Sequence, residues 1–409
     1  MVTLLISILL VSDTLTLYPE DAVRLALEKN FEIREAIYRL ESAEIQKKEA
    51  LFSLIPSGTL YGNYSKYRQE GKTFEKRGYT FNLEQSIFDP EKFVSYYSAK
   101  NNLKIQHLTY SNLKADVTVK TLKLYYRVLT IREKVDYLRQ TVELARKEFE
   151  TLKERQSAGL ATELDVLRGR INYLQNQNSM KQAEIELERA KRELKFQLGI
   201  PAETEIMIGV KGIPFEKFRM QLSRDIVDSI VRLKEAYRKV LLQAENAEWN
   251  HKRALFSFLP KVYLGFRKVH DTINPGYSSD YSTSGFYVNF SINLNSYPFN
   301  VRLQKKEVQL MRLYHKKTTY SILKNIDDAY DGYKAAIHDL ELQRENQKLA
   351  SLLYEKSYQE YRAGKITSLE YFDAQVRLRE ANLRLIEARY NYYVSLISLK
   401  TLLGLEVLR

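Results

Sequence analysis

The stretch SAGLATELDVL, Ser157–Leu167, follows a segment that runs from residue 91 to residue 158 without proline or glycine. Gly159 in this position can supply the left-handed residue that ends a helix. Thr162 and Asp165 lie three residues apart, which is the spacing of a pair that caps the start of the next helix. The stretch therefore predicts a tight turn between two long helices.

The same turn occurs a second time in the chain. The stretch RAGKITSLEYF, Arg362–Phe372, follows about two hundred residues later, with Gly364, Thr367 and Glu370 in the equivalent places. Two other segments recur in the same order, namely ALFSLIP (50–56) as ALFSFLP (254–260) and Leu-Gly (198–199) as Leu-Gly (403–404). Matches at nearly one offset indicate an internal twofold duplication.

Prolines and glycines mark the boundaries of the predicted elements. Each copy is expected to contain a helix, a β-hairpin, a long helix, a turn and a further helix. At 1.5 Å per residue, each long helix would extend about 100 Å. The predicted first repeat is 19–198, with a hairpin at 57–89, a long helix at 91–156 and helices at 20–54 and 163–198. The second repeat is 223–409, with a hairpin at 260–297, a long helix at 299–361 and helices at 224–258 and 368–403. An equatorial segment, 199–222, joins them.

Apolar residues on two of the helices recur at alternating spacings of three and four, the heptad pattern of a left-handed coiled coil. On the first long helix the predicted seam is Ile131, Val135, Leu138, Val142, Ala145, Phe149 and Leu152. On the last helix it is Leu369, Phe372, Val376, Arg379, Leu383, Ile386, Tyr390, Tyr393 and Ile397, where Arg379 is the one departure. Both helices are therefore expected to pack lengthwise against neighbours.

The amino-terminal residues and the composition narrow the class of protein. An apolar run at 2–11 is too short to span a bilayer and predicts an export signal within residues 1–18. The absence of cysteine excludes disulfides and thiolate chemistry. The net charge is +13, but basic and acidic residues alternate along the helices, as in Lys147–Gln156. This mixture favours a solvated helix surface over a nucleic-acid-binding stripe.

The hairpins contain strands with a strict two-residue period. YTFNLEQSIF (79–88) and FYVNFSINLN (286–295) alternate apolar and polar side chains. This is the pattern of a transmembrane barrel strand, although a half-buried strand of a soluble sheet has the same period. Strands of about ten residues are long enough to cross a bilayer. The expected lipid-facing residues are Phe81, Leu83, Ile87, Val288, Phe290, Ile292 and Leu294.

Four strands cannot close a barrel, and an open strand edge cannot be left in lipid. If the strands cross a membrane, several chains must share one barrel. Two chains would supply eight strands and three chains would supply twelve. The strand pattern by itself does not choose between these numbers.

The duplication, the order of elements in each copy and the paired G-x-x-[ST]-x-x-[DE] turns resemble the TolC-like outer-membrane efflux protein family (outer membrane factors). The resemblance extends over nearly the whole chain after the leader. It implies a mostly α fold, in which long antiparallel coiled-coil helices form a periplasmic α-barrel. It also implies that three chains share a twelve-stranded transmembrane β-barrel. The implied location is the outer membrane, extending into the periplasm.

The resemblance also implies a function and partners. It describes a trimeric outer-membrane channel, the exit duct of a tripartite efflux or type I secretion system, which conducts substrates passively. The implied partners are a periplasmic adaptor (membrane fusion) protein, an inner-membrane pump driven by protons or by ATP, and outer-membrane lipid. No nucleic acid and no cofactor are expected.

The residues implied for adaptor docking are those of the two turns. They are Gly159, Leu160, Thr162, Asp165, Gly364, Lys365, Thr367 and Glu370. Lys365 replaces a hydrophobic residue that the family often has after the glycine, and Tyr371 with Phe372 replaces a smaller aliphatic pair. Asp373 is expected near the periplasmic entrance. The exposed apolar Leu160 is the residue most expected to touch a partner.

An alternative from a different class is a soluble structural coiled-coil protein with β-hairpin heads, which would be recovered without detergent. Catalysis is not expected, because the five histidines are scattered. GKT at 71–73 lacks the upstream glycine of a phosphate-binding loop, and DDAYDG at 327–332 lacks the ligand positions of a calcium loop. The chain is therefore predicted to have no catalytic, cofactor or metal site.

Overall fold

The computed structural model describes residues 15–209, 212–213, 224–274, 279–292 and 297–406. The expected export signal lies largely outside this range. The elements are, in chain order, β1 (Leu15–Leu17), α1 (Pro19–Lys29), α2 (Phe31–Phe52), β2 (Ser57–Gln69), β3 (Lys72–Phe88), α3 (Pro90–Ser157), α4 (Glu163–Leu198), β4 (Ile206–Ile208), α5 (Arg224–Leu233), α6 (Glu235–Phe256), β5 (Lys261–Asn274), β6 (Ser279–Ser291), α7 (Tyr297–Arg362) and α8 (Ser368–Leu402).

Two helices are far longer than those of ordinary globular proteins. Helix α3 has 68 residues and helix α7 has 66, so each extends about 100 Å. Helix α3 begins at Pro90, where a missing N–H group costs nothing because the first turn of a helix leaves it unpaired. Its interior contains no proline or glycine. The sequence therefore lets the hydrogen-bond ladder of α3 continue without a break.

The predicted helix at 20–54 is interrupted at Asn30, which corrects that prediction. Asn30 has extended backbone angles (φ −58°, ψ 135°). Its side-chain oxygen accepts hydrogen bonds from the backbone N–H groups of Glu32 and Ile33, at 2.8 and 3.3 Å. Asn30 thus caps the start of α2. The predicted helix at 224–258 is likewise divided, at Lys234, which is extended (φ −62°, ψ 135°).

The described chain forms two compact units. Of the described residues, the first unit comprises 15–34, 113–209, 212–213, 224–230 and 322–406, and the second comprises 35–112, 231–274, 279–292 and 297–321. In the first unit, β1 and β4 form a short parallel pair, with Leu15 opposite Ile206. The Tyr125 hydroxyl donates to the carbonyl oxygen of Leu17 at 2.9 Å. Residues 15–17 of the predicted leader thus contact β4 and α3, and the leader boundary at residue 18 stays a prediction.

The second unit contains an antiparallel sheet with the strand order β2-β3-β5-β6. Strands β2 and β6 each pair on one side only within the described residues. On one face, the side chains are large, apolar and exposed, with Phe286 at 82% and Phe290 at 67%. On the opposite face, Arg267 donates to Asn82 at 2.9 Å and Tyr287 donates to Glu84 at 3.2 Å. The two faces therefore differ as the strand alternation predicts.

The core of the first unit contains most of one predicted seam and part of the other. On α3, all the predicted seam residues except Phe149 are buried. On α8, the predicted seam residues Ile386, Tyr393 and Ile397 are buried, but Leu369 is 58% exposed. Helix α8 also buries residues outside the predicted seam, namely Tyr371, Ala374, Ala381, Leu385, Ala388, Tyr392, Leu396 and Leu399. The buried surface of α8 is therefore wider than the predicted seam, and the prediction was wrong for Leu369.

Candidate functional site: the paired helical turns

The first turn is built by a glycine and a reciprocal cap. Gly159 has φ +72°, which an L side chain adopts only at a cost. The N–H group of Leu160 donates to the Arg155 carbonyl at 2.8 Å and thereby closes the end of α3. Thr162 and Asp165 then form a capping box at the start of α4. The backbone N–H of Asp165 donates to Thr162 Oγ1 at 3.2 Å, and Thr162 N donates to the carboxylate at 3.1 Å.

The second turn repeats this construction. Gly364 has φ +71°, and the N–H group of Lys365 donates to the Glu360 carbonyl at 2.9 Å. Thr367 and Glu370 form the capping box of α8, in which Thr367 N donates to the Glu370 carboxylate at 2.8 Å. This backbone donor lowers the pKa of Glu370 below its ordinary value. Both turns are therefore set by contacts within a few residues of sequence.

The tip of the first turn exposes an apolar side chain. Leu160 is 78% exposed, although a leucine would normally be expected to cover part of its surface. Lys365, at the equivalent place in the second turn, is also exposed. A pair of helical ends with one apolar and one basic tip can offer contact surface, but they contain no arrangement that could break or form bonds.

The two turns are joined to each other by side chains. Ser368 donates a short hydrogen bond to Asp165, and Arg168 donates to the Ser368 hydroxyl at 3.1 Å. Two turns further along the helices from Asp165 and Ser368, Asn172 donates to Gln375 at 3.0 Å. The hydrogen bond from Ser368 is the main reason why the pKa of Asp165 lies below its ordinary value. The candidate site residues of both turns therefore lie together.

Behind the turns lies an aromatic cluster around Tyr371, which was not predicted from the sequence. The Tyr371 ring stacks on the Tyr361 ring, with centroids 5.0 Å apart. Its hydroxyl donates to Glu148 Oε1, which also accepts from Gln375 at 2.6 Å. The other carboxylate oxygen of Glu148 is buried and has no hydrogen-bond partner among the residues that the structure describes. Burial raises the pKa of Glu148 above its ordinary value of 4.5.

The aromatic residue that departs from the family pattern thus has a clear structural role. The rings of Tyr354, Tyr358 and Phe372 also surround Tyr371 within 5.9 Å. The only sequence signal was the spacing of tyrosines on α7 and α8. Their partner Glu148 lies more than two hundred residues away in the chain and could not be paired with them from sequence.

Asp373, the expected entrance residue, lies in the second turn of α8. Its side chain is exposed and forms an ion pair with Arg377 at 2.8 Å. The structure therefore places Asp373 near the paired turns with its charge accompanied by a neighbouring cation. Its part in an entrance remains a proposal.

Four of the predicted lipid-facing residues lie on the apolar face of the sheet by strand register, namely Phe81, Leu83, Val288 and Phe290. Strand register pairs Leu83 with Phe266 and Phe266 with Phe286, whose rings are 5.2 Å apart. Phe81, Leu83, Ile87, Val288, Phe290 and Ile292 are all exposed. Leu294 lies outside the described residues. Contiguous exposed apolar side chains of this kind are rare on the surface of soluble monomeric proteins.

Within the described chain, no group of three or more His, Cys, Asp or Glu side chains is placed to hold a metal ion.

No helix in the part of the chain that the structure describes is both long enough and apolar enough to cross a bilayer.

Very long helices, helical turns with exposed tips and a sheet with an exposed apolar face define the subunit of an outer-membrane channel. The chain belongs to the outer membrane efflux protein family, whose model matches residues 22–200 and 236–405. It is therefore an outer-membrane protein that extends into the periplasm and acts as an efflux duct. This membership decides against the soluble structural protein considered as an alternative.

Curated relatives and solved structures agree with this family. The chain is 21% identical to outer membrane protein TolC of Salmonella enteritidis over 401 residues, which is 92% of this chain and 79% of that protein. The chain is also 21% identical to TolC of Escherichia coli (strain K12) over 398 residues, which is 92% of this chain and 80% of that protein. A CusC structure gives a TM-score of 0.82 at 16% identity, covering 95% of this chain and 92% of that chain. For the CmeC channel of Campylobacter jejuni, the TM-score is 0.80 at 18% identity, covering 94% and 85%.

Proposed function

We propose that this duct works as a trimer and is the exit component of a tripartite efflux or type I secretion system. The observation that carries the proposal is the four-stranded sheet, which has an exposed apolar face and two edge strands without partners in the described chain. Backbone groups on such edges would be unsatisfied in lipid. Copies of the chain that join β6 to β2 satisfy these groups and close one barrel.

Exposed stripes on the helices of the second unit support assembly from several copies. On α2, Tyr38, Ile45 and Phe52 are separated by whole heptads, and each is more than 60% exposed. On α7, exposed apolar residues recur at spacings of three, four and seven, namely Phe299, Leu303, Leu310, Leu313 and Tyr320. An apolar stripe that stays exposed in the described part of the chain fits a partner helix from another copy. We infer that the long helices of the trimer line the duct.

The number of chains can be measured by cross-linking, because the native chain contains no cysteine. Pairs of cysteines, one on β2 and one on β6, should form disulfides between neighbouring chains in isolated outer membranes. The expected product on non-reducing gels is a ladder that ends at a linked trimer. Cysteine pairs on the central strands β3 and β5 are the control and should give monomers only. A ladder that ends at a dimer would indicate an eight-stranded barrel and would contradict the trimer.

We place the adaptor contact at the paired turns. Support comes from the two exposed tips, Leu160 and Lys365, and from their position on turns that side-chain hydrogen bonds hold together. In this proposal, the adaptor links the duct to an inner-membrane pump driven by protons or ATP. The pump supplies the energy and the duct conducts passively. Gly159, Thr162, Gly364, Thr367 and the two capping carboxylates shape the docking surface.

The docking proposal is tested with Leu160→Asp in cells that contain the matching adaptor and pump. A charge at the tip should remove the apolar contact, so export and adaptor co-purification should fall about tenfold or more, as for a central interface residue. Leu174→Asp is the control, since Leu174 is also exposed but lies three turns along α4. Trimer content is measured first by cross-linking. Normal export by Leu160→Asp would exclude this tip as the contact.

A further inference from the structure

A cavity with several polar side chains in its lining lies in the first unit, among helices α3, α4, α7 and α8. Its volume is about 220 Å³. We call it the Arg379 cavity. The polar side chains that the argument uses are Tyr137, Asn172, Asn176, Gln375, Arg379 and Asn382. At about 30 Å³ per water molecule, it has room for a small ion with several waters.

Arg379 is the only charged side chain among the described residues that line this cavity. Its side chain is half-buried. One guanidinium nitrogen donates to Asn176 Oδ1 at 2.7 Å. The structure records no ion pair between Arg379 and a carboxylate in the described chain. A partly buried cation without a counter-charge is costly, and one amide oxygen compensates for only part of that cost.

The remaining polar groups are held in fixed positions around Arg379. Asn172 donates to Gln375 at 3.0 Å, and Asn176 donates to Asn172 Oδ1 at 3.0 Å. Asn382 donates to the Tyr137 hydroxyl at 3.1 Å. These hydrogen bonds run between helices or along them, so the lining is preorganised and does not need to collapse onto the guanidinium. The nearest acidic group in the hydrogen-bond network is Glu148, which Gln375 contacts at 2.6 Å.

From this arrangement we propose that the Arg379 cavity is a binding site for a small oxyanion, a carboxylate or phosphate group. A guanidinium presents N–H donors in a planar fork that matches two oxygens of such an anion. The anion supplies the counter-charge that the described chain does not provide. Asn172 donates one of its two side-chain N–H groups to Gln375, so its second N–H can donate to a remaining oxygen of the anion.

A bound anion would contact residues of several helices at once. Arg379 lies on α8, Asn176 on α4 and Tyr137 on α3, so an ion between them strengthens the packing of the helices next to the paired turns. Binding to the folded state alone raises the stability of that state. The site depends neither on the adaptor nor on the trimer, so it stands or falls separately from the proposed function.

The experiment uses the full-length protein in detergent, titrated with sodium phosphate or sodium acetate at constant ionic strength maintained with sodium chloride. Thermal unfolding and isothermal calorimetry are measured near pH 7. Saturable binding and a rise in melting temperature of about 2–4 °C are expected with at least one of the two oxyanions. Absence of saturable binding by both, or an equal effect of chloride alone, would overturn the proposal.

Two variants locate the site. Arg379→Met removes the guanidinium group and should lower the affinity for phosphate or acetate at least about tenfold. Asn176→Asp places a carboxylate against Arg379, so it should remove the effect of added anion on the melting temperature. This second variant keeps the test decisive if Arg379→Met fails to fold.

Arg377→Met is the matched control. Arg377 lies on the same helix, is exposed and is paired with Asp373 at 2.8 Å. This control should retain the affinity of the parent protein. If Asn176→Asp binds phosphate or acetate as tightly as the parent, or if Arg377→Met loses binding to the same extent as Arg379→Met, the anion does not occupy the Arg379 cavity.

Discussion

At the scale of single residues, Gly159 and Gly364 determine the backbone of the two turns. Both have φ values near +70°, and a Cβ atom at either position would meet no atom within 4 Å. The cost of a side chain there is therefore conformational and does not come from a clash. For a residue with a Cβ atom it amounts to about 1–2 kcal/mol, and a β-branched side chain lies at the upper end.

We predict that Gly159→Val lowers the free energy of unfolding by about 2 kcal/mol and reduces pump-dependent export more than membrane insertion. Gly332→Ala is a control with the opposite sign. Gly332 lies inside α7 with open space around it, so alanine should stabilise the helix by about 0.5–1 kcal/mol. Unfolding of the purified proteins measures both changes. An equal effect of the two substitutions would show that the left-handed backbone is not the cause.

A second prediction at the scale of single residues concerns Glu148 and the pH dependence of the protein's stability. Because burial raises its pKa above 4.5, the folded state binds this proton more tightly than the unfolded state. Stability from this group is therefore greatest at low pH and falls as the pH rises through the folded-state value. Glu148→Gln removes the buried charge but keeps an acceptor for Tyr371. We expect it to raise the melting temperature at pH 8, with little change at pH 4.

The control for this prediction is Glu150→Gln, two residues further along α3. Glu150 is exposed and pairs with Arg146 at 3.1 Å, so its substitution should leave the pH dependence of the melting temperature unchanged. Melting curves across this pH range compare the two variants. If Glu148→Gln lowers the melting temperature equally at every pH, burial does not destabilise the charged carboxylate of Glu148, and the prediction is wrong.

At the scale of elements, the sequence predicts what local contacts determine. The turns at Gly159 and Gly364 are recognisable because each glycine and capping pair lies within a few residues of sequence. The break at Asn30 also had a local signal, a capping asparagine, but a long amphipathic pattern concealed it. The Tyr371–Glu148 contact could not be inferred in the same way. It joins α8 to α3, and only the packing of the helices shows that these residues meet.

The contact between the two turns yields a prediction at this scale. Asp165 caps α4 and also accepts from Ser368, so it connects two helical hairpins. We expect a double-mutant cycle of Asp165→Asn and Ser368→Ala to give a coupling free energy of about 1 kcal/mol. Because the pKa of Asp165 is lowered in the folded state, its contribution is present at neutral pH and is lost as the pH falls through that lowered value.

Glu370→Gln serves as the comparison, since Glu370 caps α8 in the same way and has no recorded bond to the other turn in the described chain. Glu370→Gln should therefore lower the free energy of unfolding by less than Asp165→Asn does. Urea unfolding of the first hairpin, followed by a fluorescent label near Leu160, reports the changes. A coupling free energy near zero would mean that the two turns are neighbours without mutual support.

At the scale of the whole molecule, the two faces of the sheet decide between a membrane protein and a soluble one. Sequence alternation predicted the faces, but the same alternation occurs in soluble sheets. The structure adds the strand register, which places Phe266 and Phe286 on one face and Arg267 and Asn82 on the other. The number of chains that close the barrel is a property of several copies and cannot be read from one chain.

Two adjacent residues of β6 test the assignment of these faces in the assembled molecule. Val288 belongs to the apolar face, whereas Asn289 lies on the opposite face, in register with Tyr263. An arginine at a lipid-facing position near the middle of a bilayer lowers the stability of a barrel by about 2–4 kcal/mol, whereas an arginine that faces the lumen is tolerated. Val288→Arg should therefore reduce the amount of cross-linkable trimer in outer membranes, and Asn289→Arg should leave it nearly unchanged. Immunoblots of outer-membrane fractions measure this amount, and the reverse order of effects would show that the apolar face does not meet lipid.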